Sequence, residues 1–226
     1  MNNENEDIEV GRAEMMCDIE AEVAFTRHEI GKDALDEKVM ATMAHVPREQ
    51  FVPFAHRVFA FNNGPVPIGH GQTISQPYIV ALMTDLLMPR PASTILEVGT
   101  GSGYQAAVLA ELVKHVYSIE IVEPLAKAAG ERLDRLGYRN VTVKHGDGYH
   151  GWREHAPFDG IIVTAAAPHV PQPLIEQLKP GARLVIPVGP FGGVQELKVI
   201  EKRADGSCIT RDVLMVAFVP LTRLDT

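Results

Sequence analysis

The sequence predicts an α/β fold, in which a doubly wound, mostly parallel sheet is preceded by an N-terminal helical segment and followed by a C-terminal β-hairpin. Three observations carry this prediction. Apolar strand-like segments alternate with amphipathic helix-like segments from residue 95 to residue 188, as is typical of parallel sheets with helices on both faces. A glycine-rich turn at 99–103 joins the first of these strands to its helix. The pair Asp205-Gly206 separates the last two apolar segments and predicts a hairpin turn.

The part of the chain before the glycine turn is predicted to be mainly helical. The first nine residues are acidic and polar, and residues 1–16 are expected to be disordered. Helices are predicted over 18–30, 35–44 and 78–87. Serine is a preferred N-cap and proline is favoured in the first helical turn, so Ser75 is the predicted cap of the helix that begins near Pro77. Residues 17–226 are expected to form a single domain.

The rest of the chain supplies the sheet. Strands are predicted over 95–98, 115–119, 141–144, 159–165 and 184–188. The helices between them are predicted over 104–114, 124–136 and 171–178. The hairpin strands are predicted over 194–202 and 208–221. Because a strand, a helix and a parallel strand are joined by a right-handed crossover, this alternation predicts a mostly parallel sheet.

Composition limits the classes of function. The 226-residue chain has a formal net charge of -8, which argues against a broad nucleic-acid-binding surface. Its first residues lack the basic and then apolar pattern of a signal peptide, and no run approaches 18 apolar residues, so we expect a cytoplasmic protein without membrane attachment. Cys17 and Cys208 match no metal or redox spacing and are expected to be reduced thiols. We predict no metal ion and no obligate partner.

The glycine turn is typical of nucleotide-binding α/β folds, but its spacing differs from that of a dinucleotide site. Gly99, Gly101 and Gly103 follow G-x-G-x-G, whereas the dinucleotide fingerprint is G-x-G-x-x-G with its acid about 20 residues further on. Glu97 lies inside the strand just before the turn, where it would be a poor neighbour for pyrophosphate. S-adenosylmethionine, with its amino-acid end, sulfonium and ribose, suits this acid better. We therefore predict that Gly99, Thr100 and Gly101 bind this cofactor within a Rossmann-like fold.

Three acids are predicted to share the ligand-binding edge of the sheet. In an open doubly wound sheet the ligand lies across the carboxyl ends of the strands, where Glu97, Glu120 and Asp147 fall on the first, second and third strand. Glu120 is placed to accept hydrogen bonds from both ribose hydroxyls, and Asp147, followed by Gly148, to accept one from an adenine amino group. The simpler interpretation is that acids are common where strands meet solvent. The three acids together with the glycine turn favour the cofactor site.

From residue 35 to residue 221 the chain resembles the protein-L-isoaspartate O-methyltransferase family. The segments that carry the resemblance are Pro47-Arg-Glu-Gln-Phe-Val-Pro53, Pro67-Ile-Gly-His-Gly-Gln-Thr-Ile-Ser-Gln-Pro-Tyr78, Ile95-Leu-Glu-Val-Gly-Thr-Gly-Ser-Gly-Tyr-Gln105, Gly146-Asp-Gly148, Phe158-Asp-Gly-Ile-Ile-Val-Thr-Ala165 and Phe218-Val-Pro-Leu221. The glycine turn alone would indicate only a class I S-adenosylmethionine-dependent methyltransferase. The segment Gly71-Gln-Thr-Ile-Ser-Gln-Pro77 narrows the resemblance to this family.

The resemblance implies a repair enzyme. Such an enzyme moves a methyl group from S-adenosylmethionine to the carboxylate of L-isoaspartyl residues in damaged proteins and peptides, and leaves S-adenosylhomocysteine. It implies an active site at Ser75 with Thr73 beside it, in addition to the capping role predicted for Ser75. Members of the family often have Tyr and Asp where this chain has Phe61 and Asn63, so the preference among peptides stays open.

Other classes of function stay open as well. A methyltransferase of RNA or of a small molecule would keep the cofactor residues and differ in the region before Pro77. A nicotinamide-dependent oxidoreductase, or a non-catalytic nucleotide sensor, would need the glycine turn to hold phosphate. His145, His150 and His155 recur every five residues, but this spacing matches no metal motif, and metal binding is the weaker interpretation.

Overall fold

The fold is organised around a seven-stranded sheet, seen in a computed structural model that describes residues 2–190 and 192–223. The helices are α1 (Asn2–Ile30), α2 (Glu37–His45), α3 (Pro77–Leu87), α4 (Tyr104–Ala110), α5 (Glu123–Arg135) and α6 (Gln172–Glu176). The strands are β1 (Val66–Gly69), β2 (Gln72–Ile74), β3 (Thr94–Val98), β4 (His115–Glu120), β5 (Val141–His145), β6 (Phe158–Val163), β7 (Leu178–Val188), β8 (Gln195–Lys202) and β9 (Cys208–Val216). Short 3-10 turns cover 48–51, 54–59, 148–150 and 153–155.

The strand order of the large sheet is β5-β4-β3-β6-β7-β8-β9. The first five strands in this order are parallel, and β8 and β9 continue from β7 as an antiparallel hairpin. The predicted α/β fold with its terminal hairpin is confirmed. Strand β3 pairs with β4 on one side and with β6 on the other. The order in which successive strands are added to the sheet therefore changes direction at β3. The carboxyl end of β3 is therefore the position where ligands bind in sheets of this kind.

Alternating side chains of the strands place a hydrophobic core on each face of the sheet. Ile95 and Ile162 point into a cluster with α1, α2, α3 and α4, while Leu96 and Ile161 point into a cluster with α6. Successive side chains of a strand point to opposite faces, which is why neighbours in sequence belong to different cores. Within the described ranges, no helix combines the length and the apolar content needed to cross a bilayer.

The N-terminal segment differs from the sequence prediction. Residues 2–16 were expected to be disordered, but they form the first half of α1, while residue 1 lies outside the described part. Met15, Ile19, Val23 and Ile30 are almost fully buried at helical spacing along one face of α1. Only Met15 of this stripe lies within residues 2–16, whose polar composition did not indicate that they would pack against the domain. The helix is stabilised by packing against the domain, chiefly against α3 and α2.

Two further differences lie just before α3. The segment 65–75 showed no clear period, yet it contains the antiparallel pair β1 and β2, whose turn places His70 and Gly71 at positive φ. The predicted N-cap at Ser75 is wrong. Helix α3 begins at Pro77, so the cap position falls on Gln76, which makes no side-chain capping bond. The Ser75 carbonyl instead accepts a hydrogen bond from Arg48 Nη2 over 2.7 Å.

Candidate active site

The glycine turn lies at the carboxyl end of β3 and needs glycine for two different reasons. Gly99 has φ +96° and Gly101 has φ +53°, conformations that side chains rarely adopt. A Cβ on Gly99 would also lie 2.4 Å from Thr164 Oγ1, whereas a Cβ on Gly101 would meet only Ile68 Cδ1 at 3.6 Å. Gly99 therefore permits close packing against β6, while Gly101 leaves space beside the turn.

A cleft opens directly beside this turn, and we call it the glycine-turn cleft. It is lined by the turn, the end of β4, the residue after Asp147, the start of α4 and the chain that follows β9. The principal lining residues are Val98–Ser102, Ile119–Val122, Gly148 and Val219–Thr222. Residues 217–221 were expected to extend the last strand, but they leave it and cross the end of β6, where Ala166 N donates to Val219 O and Leu221 N donates to Ala166 O. Tertiary contact with β6 thus supplies one wall of the cleft.

Glu120 lines the glycine-turn cleft at the end of β4. Its Oε2 accepts a hydrogen bond from Gly101 N over 2.7 Å, and its Oε1 accepts one from Val122 N over 2.9 Å. These two bonds fix the carboxylate plane against the turn. Each oxygen of an ionised carboxylate has a second lone pair, so Glu120 can still accept hydrogen bonds from a pair of ligand hydroxyls.

Glu97 does not lie in the lining of the cleft. Its side chain is 0% exposed, and its Oε2 accepts a hydrogen bond from Ser118 Oγ. Ser118 Oγ is also 2.5 Å from Thr100 Oγ1, so a chain of hydroxyls leads from the buried acid to the glycine turn. Burial raises the pKa of Glu97 to about 8, and the nearby charge of Glu120 adds to the increase. Glu97 therefore meets the cleft through Thr100 rather than by direct contact.

The acid of the third strand is also engaged by protein groups. Asp147 Oδ1 accepts a hydrogen bond from Tyr149 N over 2.9 Å, and Oδ2 accepts one from Arg223 Nε over 2.8 Å. The residue after it, Gly148, does line the glycine-turn cleft. A Cβ on Gly148 would lie 2.4 Å from Val98 Cγ1, so glycine lets this turn pack against β3. The structure thus brings Glu120, Gly148 and the glycine turn together and leaves Asp147 just behind them.

A second cavity of about 590 Å³ adjoins the glycine-turn cleft, and we call it the α1 cavity. Its walls are the second half of α1, the start of α3 and the chain at 214–219. Four residues line both spaces, namely Thr73, Ser75, Thr164 and Val219. The two predicted catalytic residues therefore lie at the junction of two cavities, together with Thr164.

The chain matches a known protein family over most of its length. The model of the protein-L-isoaspartate(D-aspartate) O-methyltransferase family matches residues 24–226. The chain belongs to this family. It is 64% identical over 211 residues to protein-L-isoaspartate O-methyltransferase 2 of Syntrophobacter fumaroxidans, which covers 93% of this chain and 85% of the relative. The enzyme of the same name from Polaromonas is 62% identical, covering 92% of this chain and 99% of the relative.

Solved structures of the family share the fold. One protein-L-isoaspartate O-methyltransferase superposes with a TM-score of 0.78 at 25% identity, covering 92% of this chain and 65% of that chain. Another, from Plasmodium falciparum in complex with S-adenosyl-L-homocysteine, gives a TM-score of 0.75 at 27% identity and covers 92% and 98%. The predicted family and enzyme class are confirmed. The predicted cofactor is confirmed for the family, since that neighbour binds the demethylated product of S-adenosylmethionine.

Two residues that hold parts of the candidate site in place were not singled out from the sequence. Arg48 is fully buried behind Ser75, where Nε donates to Ala60 O over 2.7 Å and Nη2 donates to Ser75 O. Its guanidinium lies 4.7 Å from the ring centroid of Tyr104, the first residue of α4. Burial lowers the pKa of Arg48. The only sequence signal for Arg48 was its position in the segment 47–53 that carries the family resemblance.

Thr164 was the second residue missed. Its Oγ1 donates to Gly99 O over 2.6 Å and lies 3.2 Å from Val98 O, so the end of β6 holds the first bend of the glycine turn. Sequence pattern placed Thr164 in a strand but could not show which strand it would face.

The three histidines with a five-residue spacing lie in different surroundings. His145 Nε2 hydrogen-bonds with Ile121 O, His150 Nε2 with Arg223 Nη2, and the His155 ring stacks on Tyr117 with 3.8 Å between centroids. Among the residues that the structure describes, no group of three His, Cys, Asp or Glu side chains is close enough to hold a metal ion.

Proposed function

We propose that this chain transfers the methyl group of S-adenosylmethionine to the carboxylate of an L-isoaspartyl residue at the junction of the glycine-turn cleft and the α1 cavity. The observation that carries this proposal is that Thr73, Ser75 and Thr164 line both spaces. A cofactor in the cleft and a peptide in the cavity would meet at these residues. The family of the chain supports the choice of reaction.

In this proposal the glycine-turn cleft binds the cofactor. Glu120 accepts hydrogen bonds from the ribose hydroxyls, because Gly101 and Val122 hold its carboxylate in the lining of the cleft. Gly99, Thr100 and Gly101 receive the amino-acid end, and Glu97 acts on that end through Ser118 and Thr100. Gly148 contacts the adenine, with Asp147 behind it as the acceptor for the adenine amino group.

The residues at the junction hold the substrate carboxylate in position and transfer no proton. When bound, the cofactor supplies a methyl group on a positively charged sulfur. An aspartyl-type carboxyl group has a pKa near 4, so it is ionised at neutral pH and needs no general base. Ser75 would hydrogen-bond to this carboxylate and hold it at the junction, with Thr73 beside it. Alignment of this kind accounts for several orders of magnitude in rate in intramolecular reactions.

One assay tests the proposal directly. Transfer of labelled methyl from S-adenosylmethionine is measured to an isoaspartyl peptide and to its normal aspartyl counterpart of the same sequence. We expect labelling of the isoaspartyl peptide alone, because the free carboxylate of an isoaspartyl residue is attached directly to Cα, whereas that of a normal aspartyl residue is one methylene further out. Equal labelling of both peptides, or none with the cofactor bound, would contradict the proposal. Calorimetry with S-adenosylhomocysteine and with NAD distinguishes it from a nicotinamide-dependent enzyme.

We further propose that the enzyme works in the cytoplasm on isoaspartyl proteins and peptides, as a single domain that includes α1 and without nucleic acid, membrane or an obligate partner. Support comes from the acidic net charge of -8 and from Cys17 and Cys208, which are both exposed free thiols and suit a reducing compartment.

A further inference from the structure

The side-chain amide of Asn63 connects two walls of the α1 cavity. Its Nδ2 donates to Glu22 Oε1 over 3.1 Å, and its Oδ1 accepts a hydrogen bond from Gln76 Nε2 over 3.1 Å. Glu22 offers only acceptors, so the amide must turn its nitrogen to α1 and its oxygen to Gln76. An asparagine fits this position because it presents a donor at one end and an acceptor at the other.

Both ends of this bridge line the α1 cavity. Glu22 belongs to the α1 wall, together with Phe25, Thr26 and Glu29, while Gln76 directly follows Ser75 on the opposite wall. Glu22 also precedes the residues matched by the family model, which begin at 24. The bridge therefore connects α1, part of which precedes the residues matched by the family model, to the segment that contains Ser75.

Two further contacts show that the chain from residue 61 to residue 78 packs closely against α1. A Cβ on Gly11 would lie 2.7 Å from Phe61 Cδ2, so the helix surface leaves room for the Phe61 ring. Further along α1, Thr26 Oγ1 lies 2.5 Å from the Tyr78 hydroxyl at the start of α3. Glu22, which accepts the hydrogen bond from Asn63, lies between Gly11 and Thr26 in the sequence of α1.

We propose that Asn63 is a positioning residue of the peptide site, which holds α1 as a wall of the cavity and orients Gln76 beside Ser75. This inference rests on the proposed function, in which the α1 cavity takes the isoaspartyl peptide. The bridge then governs the affinity for the peptide, and it does not govern the affinity for the cofactor or the methyl-transfer step. An aspartate at the same place could not donate to Glu22, and the two carboxylates would repel each other.

The variant Asn63→Asp tests this inference. We expect the KM for an isoaspartyl peptide to rise about tenfold, in the range of a lost hydrogen bond to a charged group. The kcat is expected to stay within about twofold and the affinity for S-adenosylhomocysteine to stay unchanged, since neither depends on the α1 wall. A general structural defect would lower kcat and the affinity for the cofactor in addition to raising KM.

A second substitution provides a matched rescue. In the double variant Glu22→Gln with Asn63→Asp, the new amide at 22 can donate to the new carboxylate at 63, which still accepts from Gln76. We expect the KM to return to within about threefold of the unmodified enzyme. Glu22→Gln alone is the reference for the double variant, because its amide oxygen can still accept a hydrogen bond from Asn63. An unchanged KM in folded Asn63→Asp, or a raised KM that Glu22→Gln does not relieve, would overturn the proposal.

Further measurements separate the failure of this inference from the failure of the proposed function. If Asn63→Asp does not fold, Glu22→Ala removes the acceptor on α1 instead, and an unchanged KM in this folded variant overturns the bridge. If the unmodified enzyme methylates no isoaspartyl peptide, the proposed function fails by itself. Hydrogen exchange then tests the bridge without any substrate. Faster exchange across 18–30 in Asn63→Asp is expected, and identical exchange overturns the bridge.

Discussion

The carboxylate of Glu120 accepts a hydrogen bond from the Gly101 amide over 2.7 Å, so the end of β4 holds the glycine turn that follows β3. The two residues are far from each other in sequence and are joined because β3 and β4 pair in parallel. This contact fixes the turn, and in the proposed function the remaining lone pairs of the carboxylate accept hydrogen bonds from the cofactor.

Glu120→Ala should weaken the binding of S-adenosylhomocysteine about tenfold to a hundredfold, equivalent to roughly 1.5 to 3 kcal/mol for bonds to a charged acceptor. Isothermal calorimetry measures the affinity, and a thermal melt confirms that the variant is folded. Glu123→Ala is the matched control, since Glu123 is an exposed acid at the start of α5 and does not line the cleft. Full affinity in folded Glu120→Ala would exclude the ribose role.

Ser75→Asn should lose most of its turnover with little change in stability. Because Ser75 does not cap α3, replacing its hydroxyl removes no helix cap, and the free energy of unfolding should change by less than about 0.5 kcal/mol. Ser75→Asp should lose more turnover, since its charge would repel the substrate carboxylate. Steady-state methyl transfer measures the effect, with Ser207→Ala in the exposed hairpin as control. Normal turnover in Ser75→Asn would remove Ser75 from the active site.

The buried acid Glu97 should make the stability of the protein fall as pH rises. Burial raises its pKa to about 8 in the folded chain, so between about pH 5 and pH 8 the folded state holds a proton that the unfolded state has released. The free energy of unfolding then decreases by up to about 1.4 kcal/mol per pH unit from this group, and levels off above pH 8.

Urea denaturation at several pH values checks this dependence against Glu97→Gln, which imitates the protonated carboxyl group. We expect the difference in unfolding free energy between the two proteins to shift steadily in favour of the variant from pH 5 to pH 8. A difference that stays constant with pH would show that Glu97 is ionised in the folded protein throughout this range.

Asn63-Gly64 is the one Asn-Gly pair in the chain and is therefore the expected place of isoaspartate formation in the enzyme itself. An isoaspartyl residue formed there would be a substrate for neighbouring enzyme molecules. The structure indicates that this reaction is slow in the native state. Both ends of the Asn63 amide are hydrogen-bonded, and the attacking Gly64 nitrogen donates to Asn62 O over 2.8 Å.

Glu22→Ala should therefore speed the formation of isoaspartate at Asn63 during storage at mildly alkaline pH, together with self-methylation at this residue. Peptide mapping of fresh and aged protein locates the modification, and Asn63→Gln serves as the control without the reactive pair. Equal rates in Glu22→Ala and the unmodified enzyme would show that the hydrogen bond to α1 does not protect Asn63.

The sequence by itself determined those parts of the fold that depend on interactions between residues close together in the chain. The run Ile95–Val98 followed by three spaced glycines determines a strand and a tight turn, because only glycine adopts these positive φ values without strain. The hairpin of β8 and β9 followed in the same way from the turn at Asp205-Gly206. The family was also visible in the sequence, because its segments are continuous.

Contacts between distant segments decided the rest. Whether Glu97 faces a ligand or the protein interior depends on the side of β3 from which its side chain leaves the sheet and on what packs there. The order in α1 depends on burial of one stripe against α3, which lies far along the chain. Glu22 and Asn63 are 41 residues apart, and Arg48 reaches across 27 residues to Ser75. A periodic pattern reports only the neighbours of a residue within one helix or strand, so these junctions arise only when the packed chain brings the walls of the two cavities together.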